Sequence, residues 1–176
     1  NYMTSHDDGK PFDPKREKNK EAANRLLLSP GTAQIYYGDE TARPLEIEGT
    51  VGDATLRSFM NWDELDSLAE KQEILAYWQK LGKFRAHHPA IGAGKHQLIQ
   101  KSPYVFSRSF TDKNYTDKVV IALNYTNKEK EIPVASIFQD GDLIYDAFSE
   151  KQIKVVGGKA IFESESEIVL LEKYRH

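Results

Sequence analysis

The chain has 176 residues, of which 39% are hydrophobic, and a formal net charge of −3 at pH 7. This charge argues against the concentrated basic face that nucleic acids and anionic membranes require. The absence of cysteine excludes disulfide bonds, thiolate metal sites and a cysteine nucleophile, and no apolar run approaches the roughly 20 residues of a membrane span. The length has room for one domain, or for one small domain and part of another.

The first eight residues open with a short strand-like run, and the pair His6-Asp7 follows it immediately. A carboxylate beside an imidazole at a strand end can bind vicinal sugar hydroxyls and can stabilise positive charge in a transition state. A turn or a helix cap is the purely structural alternative. Asp8 is predicted to be a loop residue, because adjacent side chains on a strand point to opposite sides.

A helix and a second strand are predicted next. Asp13 is a suitable N-cap and Pro14 falls at the first helical position. Residues 22–27 then carry an apolar stripe at helical spacing, and Ser29-Pro30-Gly31 ends it. Residues 34–37 form a short apolar run that is typical of a buried parallel strand.

A long loop over residues 39–66 precedes a second helix. Ser67 and Glu70 have the spacing of a capping box. The helix that follows presents a broad apolar face made of Ile74, Leu75, Trp78, Leu81 and Phe84. The order strand, helix, strand, helix predicts parallel strands with covering helices.

The pattern changes at about residue 91 to short β-type runs separated by turn-rich clusters. Gly157-Gly158 is a two-residue hairpin signal. Six to eight strands in about 80 residues predict an antiparallel, Greek-key-like β-sandwich. The predicted strands are Leu98-Ile99, 104–106, 119–123, 143–145, 153–156 and 168–171. We therefore predict an α/β domain over residues 1–90 and an all-β domain over residues 91–176.

Several other polar and aromatic residues are candidates for a site. Asp39-Glu40 are interpreted as shaping a loop rather than as catalytic, and Arg16 as a surface charge on the helix. The loop residues 60–63, with Trp62, are as compatible with a sugar-stacking surface as with packing. His87-His88 are interpreted as favourable charges at a helix C-terminus rather than as metal ligands, because adjacent histidines diverge. Tyr36-Tyr37 and Trp78 are predicted to be core residues.

Two parallel strands with two helices cannot close a barrel, and parallel sheets are normally covered on both faces. Truncation of a larger α/β domain is the simpler interpretation. The alternative is that the β-sandwich replaces the missing neighbours.

In order along the chain, NYMTSHDD, SPGTAQIYYGDE, MNWDE and LGKFRAHHPAIGAG followed by a β-domain resemble the C-terminal part of the α-amylase family of glycoside hydrolases, the family 13 type. The resemblance covers essentially all 176 residues. It implies that the first half is a C-terminal fragment of a (β/α)8 barrel, its last two β/α units, and that the second half is the β-sandwich that follows the barrel.

The resemblance also implies roles for the first pair of polar residues. Residues 1–8 would be the seventh barrel strand and residues 33–38 the eighth, so His6 and Asp7 would lie at the C-terminal face where barrel active sites are built. Asp7 would be the catalytic carboxylate that stabilises the oxocarbenium-like transition state and binds substrate hydroxyls. His6 would bind the same sugar.

Retaining hydrolysis of a glycosidic bond also needs a nucleophile and an acid about 5–5.5 Å apart. In the family these residues follow the fourth and fifth strands, which nothing in this chain matches. The resemblance therefore implies part of an enzyme that cleaves α-1,4-glucosidic bonds in starch-like glucans, with the chain alone inactive. The alternatives are a related α-glucosidase, branching enzyme or trehalose synthase-like transglycosylase, and a non-catalytic carbohydrate-binding module.

The expected partner is an α-glucan or maltooligosaccharide, with no nucleic acid and no membrane span. No metal site or cofactor is expected in this chain, although many family members carry structural calcium and the whole protein is compatible with one. We hypothesise that exposed strand edges let the chain self-associate. An extracellular or periplasmic location is favoured over others. Endo or exo preference is not fixed by these residues.

Overall fold

The computed structural model describes residues 1–174, so the last two residues of the predicted β-domain lie outside the described part. The chain divides into two compact units, Asn1–Lys83 and Phe84–His176. The division falls within a helix, a few residues before the predicted boundary at residues 90 and 91. Each unit is described by itself.

In the first unit the apolar stripe forms as predicted, on helix α1, Asn19–Leu27. Its buried apolar residues are Ala22, Ala23, Leu26 and Leu27. The helix begins later than predicted. Asp13 has a positive φ of 58°, and its carboxylate accepts the backbone N–H groups of Glu17 and Lys18 at 2.9 and 2.8 Å. Asp13 thus closes a turn ahead of the helix instead of capping the helix itself.

Neither predicted strand of the first unit forms. Residues 1–8 and 33–38 are extended or turn-like but are not strands. The Asn1 amino group donates to Thr32 O at 2.8 Å, and Gln34 N–H donates to Asn1 O at 2.9 Å. These two hydrogen bonds alternate in direction as they do between two parallel strands. They are too few to form a strand ladder, and parallel strands are normally stable only in a sheet that is covered on both faces. The barrel fragment therefore stays a prediction.

Two helices follow a short 3-10 helix, Gly52–Arg57. Helix α2 is Trp62–Ser67 and helix α3 is Ala69–His87. The predicted capping box is wrong, because Ser67 ends α2 and its hydroxyl donates to Asp63 O at 2.5 Å. The apolar face of α3 is confirmed for Ile74, Trp78, Leu81 and Phe84, which are buried, whereas Leu75 is half-buried.

The second unit continues from the end of α3 into a short helix α4, Pro89–Ala93, and eight β-strands that pair antiparallel. Six strands form one sheet in the order β1-β2-β3-β8-β5-β6. They are β1 Lys95–Gln100, β2 Tyr104–Asp112, β3 Tyr115–Leu123, β5 Leu143–Asp146, β6 Lys151–Lys154 and β8 Val169–Lys173. The last strand lies between β3 and β5, as the predicted Greek-key-like connection requires.

Two further strands, β4 Glu129–Pro133 and β7 Lys159–Glu163, are not among the predicted strands and form the second sheet. Gly157 and Gly158 both have positive φ, 59° and 71°, as a tight hairpin turn requires. The turn leads from one sheet to the other, because β6 pairs with β5 and β7 pairs with β4.

Buried apolar side chains from both sheets meet in one cluster. The six-stranded sheet contributes Val105, Val120, Ala122, Ile144, Ile153, Val169 and Leu171, and the small sheet contributes Ile132 and Ala160. The prediction of two mostly antiparallel sheets for this part of the chain is therefore confirmed.

None of the helices within residues 1–174 has the length and apolar character that a membrane span requires.

Candidate functional site

The predicted pair His6-Asp7 lies at the surface of the first unit. The side chains of His6 and Asp7 are 63% and 62% exposed, so both are accessible to a ligand. His6 Nε2 lies 2.8 Å from Asp7 Oδ2. Asp8 is a loop residue, as predicted, and its Oδ1 accepts the Lys10 N–H at 3.0 Å.

Arg57 completes this cluster and was not identified from the sequence. Its guanidinium donates to Asp7 Oδ1 at 2.9 Å, and its Nε donates to His6 O at 3.3 Å. Each oxygen of the Asp7 carboxylate therefore has a nitrogen donor beside it, one from His6 and one from Arg57. A carboxylate accepts up to about four hydrogen bonds, so Asp7 keeps acceptor capacity for a ligand hydroxyl.

A buried arginine fixes the backbone on both sides of Arg57. Arg43 is completely buried, and its guanidinium donates to Leu56 O at 3.1 Å and to Ser58 O at 3.3 Å. It also bonds to the Ser58 hydroxyl, and its Nε donates to Tyr37 O at 3.1 Å. Arg43 thus links the segment after Tyr37 to the segment that carries Arg57.

No carboxylate balances the charge of Arg43 by direct contact in the described part of the chain. The guanidinium lies instead 4.1 Å from the Tyr37 ring centroid and 5.6 Å from that of Tyr36, in the range of cation–π attraction. Burial lowers the pKa of Arg43, while Tyr37 and Tyr36 act in the opposite direction. Tyr37 is 41% exposed, so its prediction as a core residue is wrong. Its ring covers the arginine instead.

Gly38 makes room for this arginine. A Cβ at Gly38 would lie 2.5 Å from Arg43 Cβ and Nε, and the residue has a φ of 85°. Both facts exclude other residue types unless the loop moves.

Arg16 and Asp39 form a buried ion pair beneath the loop. Arg16 lies 2.9 Å from Asp39 Oδ1, and their side chains are only 7% and 1% exposed. The prediction of Arg16 as a surface charge is therefore wrong. Burial raises the pKa of Asp39, and the charge and hydrogen bond of Arg16 oppose that shift. Asp39 supports the loop, as predicted, and has no access to a substrate.

Two aromatic residues near Arg57 in the sequence are exposed. Phe59 is 97% exposed and Trp62 is 61% exposed. Trp62 therefore does not pack the loop, whereas Asn61 does, since its amide donates to Thr41 O at 3.2 Å. Trp78 is buried and bonds to Asn19, as predicted for a core residue.

His88 forms a separate polar cluster in the second unit. Its ring nitrogens lie 2.8 Å from Asp117 Oδ1 and 2.7 Å from Glu172 Oε2, and its side chain is 3% exposed. Asp117 Oδ2 also accepts the Ala90 N–H at the start of α4. His87 lies in the last turn of α3, as the interpretation of a cationic helix end expects. His88 follows it, but its side chain is buried between the carboxylates of β3 and β8 and is held by them.

These carboxylates are not arranged for a metal ion. Among residues 1–174 no group of three or more histidine, aspartate or glutamate side chains has the geometry of a metal site. Since carboxylate oxygens only accept hydrogen bonds, two of them facing both ring nitrogens favour the protonated imidazolium. Burial lowers the pKa of His88, but the hydrogen bonds and charges of Glu172 and Asp117 outweigh it, and the pKa is raised.

Comparison with solved structures identifies the fold. The fold matches a crystal structure of an Anoxybacillus alpha-amylase with a TM-score of 0.64 at 22% identity, over 99% of this chain and 38% of that one. It also matches a variant of AmyP in complex with maltotriose, with a TM-score of 0.64 at 18% identity, over 90% of this chain and 35% of that one. These matches show the fold of part of an α-amylase.

A sequence match is more specific. The chain is 43% identical over 121 residues to the periplasmic alpha-amylase of Escherichia coli strain K12, which is 68% of this chain and 16% of that protein. No family model matches the chain. The resemblance to the α-amylase family is thereby confirmed, and it is consistent with the C-terminal part of a protein of that family. The chain spans less than a fifth of the length of this relative.

Proposed function

We propose that this chain is part of a retaining glycoside hydrolase that cleaves α-1,4-glucosidic bonds in starch-like glucans. Asp7 is its transition-state-stabilising carboxylate and His6 contacts the same sugar. The observation that carries this proposal is the Asp7 carboxylate, which is exposed and yet held by His6 and Arg57 at 2.8 and 2.9 Å. A fixed negative charge beside developing positive charge stabilises an oxocarbenium-like transition state.

Asp7 would act without forming a bond to the sugar. The nucleophile and the general acid of a retaining mechanism are two further carboxyl groups, and we propose that they lie in a longer protein that includes this chain. The chain alone then has a substrate contact but no bond-making group. We therefore expect it to be inactive by itself.

The similarity to a periplasmic alpha-amylase supports a periplasmic or extracellular location. The similarity to a protein solved with maltotriose supports an α-glucan substrate. Both remain part of this proposal, because the chain covers a small share of each relative.

The test uses the longer protein with a chromogenic maltooligosaccharide. Asp7→Asn keeps the shape of the side chain and removes its charge, so kcat/KM should fall by at least about a hundredfold. Asp8→Asn is the matched control and should leave kcat/KM within a small factor. Equal activity of the two variants would contradict the role of Asp7, and turnover by the 176-residue chain alone would contradict the need for further carboxylates.

A further inference from the structure

A cavity in the second unit lies on the face of the six-stranded sheet opposite the apolar core. Its volume is about 710 Å³, and Tyr145, Gln152, Glu172 and Tyr174 are among its lining residues. This volume falls within the range of about 300–1,000 Å³ that is usual for small-molecule sites. All of the lining residues belong to the second unit, so this cavity is separate from the Asp7 cluster.

The register of three strands places the polar and aromatic groups side by side. Tyr145 on β5 is the direct cross-strand partner of Gln152 on β6 and of Glu172 on β8. Such partners have Cβ atoms about 4.5–5.5 Å apart on one face of the sheet. An aromatic ring therefore stands between an amide and a carboxylate, an arrangement that the strands themselves hold in place.

A second aromatic ring adjoins the first. The ring centroids of Tyr145 and Tyr174 are 6.1 Å apart, and the two planes are inclined by 54°. Both tyrosines are partly exposed. Each offers an apolar ring together with a hydroxyl that donates and accepts hydrogen bonds.

The Glu172 carboxylate of the cavity is held in place by His88. Glu172 Oε2 accepts a hydrogen bond from the buried His88 ring at 2.7 Å, while the Glu172 side chain keeps 24% exposure. Its carboxylate therefore has a defined orientation and further acceptor capacity. His88 acts here as a support for the lining residue.

These groups favour a neutral, polyhydroxylated ligand. The lining carries the carboxylates of Glu150 and Glu172 beside the cations Lys173 and His88. Lys173 lies 3.4 Å from Asp142 and His88 lies between Asp117 and Glu172, so both cations already face carboxylates and attract an anion little. A purely apolar ligand would leave the amide and carboxylate groups without hydrogen bonds. A pyranose presents an apolar C–H face to a tyrosine ring and hydroxyls to an amide and a carboxylate at its rim. The lining thus matches the two kinds of surface on one sugar ring.

We propose that this cavity, defined by Tyr145, Tyr174, Gln152 and Glu172, is a non-catalytic binding site for a neutral oligosaccharide of the α-glucan type. The choice of a neutral sugar rests on the lining alone. The choice of an α-glucan rests on the proposed function. The site would hold a glucan chain at the β-sandwich without cleaving it.

The experiment is a titration of the 176-residue chain with maltotriose. Binding is monitored through the amide chemical shifts in 1H-15N NMR spectra. The expected result is saturable shifts around Tyr145 and Gln152 with a Kd in the millimolar range. Tyr145→Ala and Gln152→Ala should each weaken binding by about tenfold, a change of about 1.4 kcal/mol. Tyr145→Phe should retain most of the affinity because it keeps the ring.

Tyr104→Ala is the matched control, since Tyr104 is a partly exposed tyrosine on β2 of the same sheet. Absence of saturable shifts, shifts confined to residues around Asp7, or equal loss in Tyr104→Ala would overturn the site. Equal binding of the β-linked cellotriose would overturn the α-glucan assignment. Gln152 is exposed, so its variant tests the site even if Tyr145→Ala fails to fold.

The two proposals fail separately. Binding at Tyr145 by this chain, together with no hydrolysis by the longer protein, would refute the proposed function and leave the cavity assignment intact. Hydrolysis by the longer protein that depends on Asp7, without chemical-shift changes at Tyr145, would refute the cavity assignment and leave the proposed function intact.

Discussion

At the scale of single residues, the described structure relies on buried cations that are held by neutral acceptors or by carboxylates. Arg43 donates to backbone carbonyls of Tyr37, Leu56 and Ser58. Lys130 is also fully buried, and its Nζ donates to Tyr125 O at 2.7 Å. A charge taken out of water is costly unless it is hydrogen-bonded, so removal of one such acceptor or cation leaves a buried polar group unsatisfied.

The pH dependence of stability should depend on His88. The pKa of His88 is raised in the folded state above an unfolded value of about 6.5. The folded state therefore binds the proton more tightly, and this contribution to the free energy of unfolding is fully present below about pH 6.5. It is lost as the pH rises through the folded pKa. We expect urea midpoints to fall over this window above about pH 6.5.

The groups facing His88 are Asp117 on β3 and Glu172 on β8, with the Phe84 ring 4.5 Å away. His88→Gln should remove most of the slope above about pH 6.5, because the amide does not titrate. His96 is the matched control. Burial first, and then Arg108, lower its pKa, so His96→Gln should leave that window unchanged. An unaltered slope in His88→Gln would contradict the prediction.

Gly38 gives a test of the loop that carries Arg57. Gly38→Ala should reduce the free energy of unfolding by more than the strain of a positive φ alone, which is about 1–3 kcal/mol, because the new Cβ would meet Arg43 at 2.5 Å. Gly49→Ala is the control for strain, since Gly49 has a φ of 79° and open space around it. Chemical denaturation of both variants measures the difference. Equal losses would show that the contact with Arg43 is unimportant.

At the scale of elements, the turn before α1 shows how a side chain delays a helix. The Asp13 carboxylate satisfies two backbone N–H groups ahead of the helix. Asp13→Ala should therefore lower the free energy of unfolding by about 0.5–2 kcal/mol, as loss of a cap does. Asp8→Ala, which removes an acceptor for one amide, is the control and should cost less. Denaturant midpoints compare the two, and equal losses would contradict the special role of Asp13.

Patterns of apolar residues within one segment predicted the helices, whose backbone hydrogen bonds also lie within one segment. The apolar stripe of α1 and the apolar face of α3 are buried as expected. The pattern does not indicate β4, because the strand opens with the three charged residues 129–131, of which Lys130 is buried against expectation. It does not indicate β7 either, because Lys159 and Glu163 enclose an apolar run of only three residues. The predicted parallel strands of the first unit depend on neighbours rather than on their own sequence, and they do not form here.

The same reasoning explains which site residues could be predicted. His6 and Asp7 are adjacent in sequence, so a motif identifies them. Arg57 reaches Asp7 across 50 positions, and Glu172 reaches His88 across 84. No spacing rule connects such residues. Arg57 lies in the predicted loop over residues 39–66, where no motif distinguishes it, and nothing in the sequence indicates the carboxylates around His88.

At the scale of the whole molecule, the second unit owes its stability to apolar side chains between two antiparallel sheets of unequal size. The small sheet has only two strands, and an isolated pair of strands is marginally stable in water. Its strands are therefore held chiefly by the side chains that they place against the large sheet. Ile132 on β4 is fully buried in this cluster, and its cross-strand partner Ala160 on β7 is buried too.

Ile132→Ala should accordingly reduce the free energy of unfolding by about 2–5 kcal/mol, the usual cost of removing a large buried aliphatic side chain. Ile161→Ala on β7 is the matched control, because Ile161 is 52% exposed on the same small sheet, and it should stay within about 0.5 kcal/mol of the parent. Urea denaturation of the full chain, followed by hydrogen exchange at β4 and β7, measures both effects. Similar losses for the two variants would mean that the strand pair is held by its backbone ladder, and that burial against the large sheet contributes little.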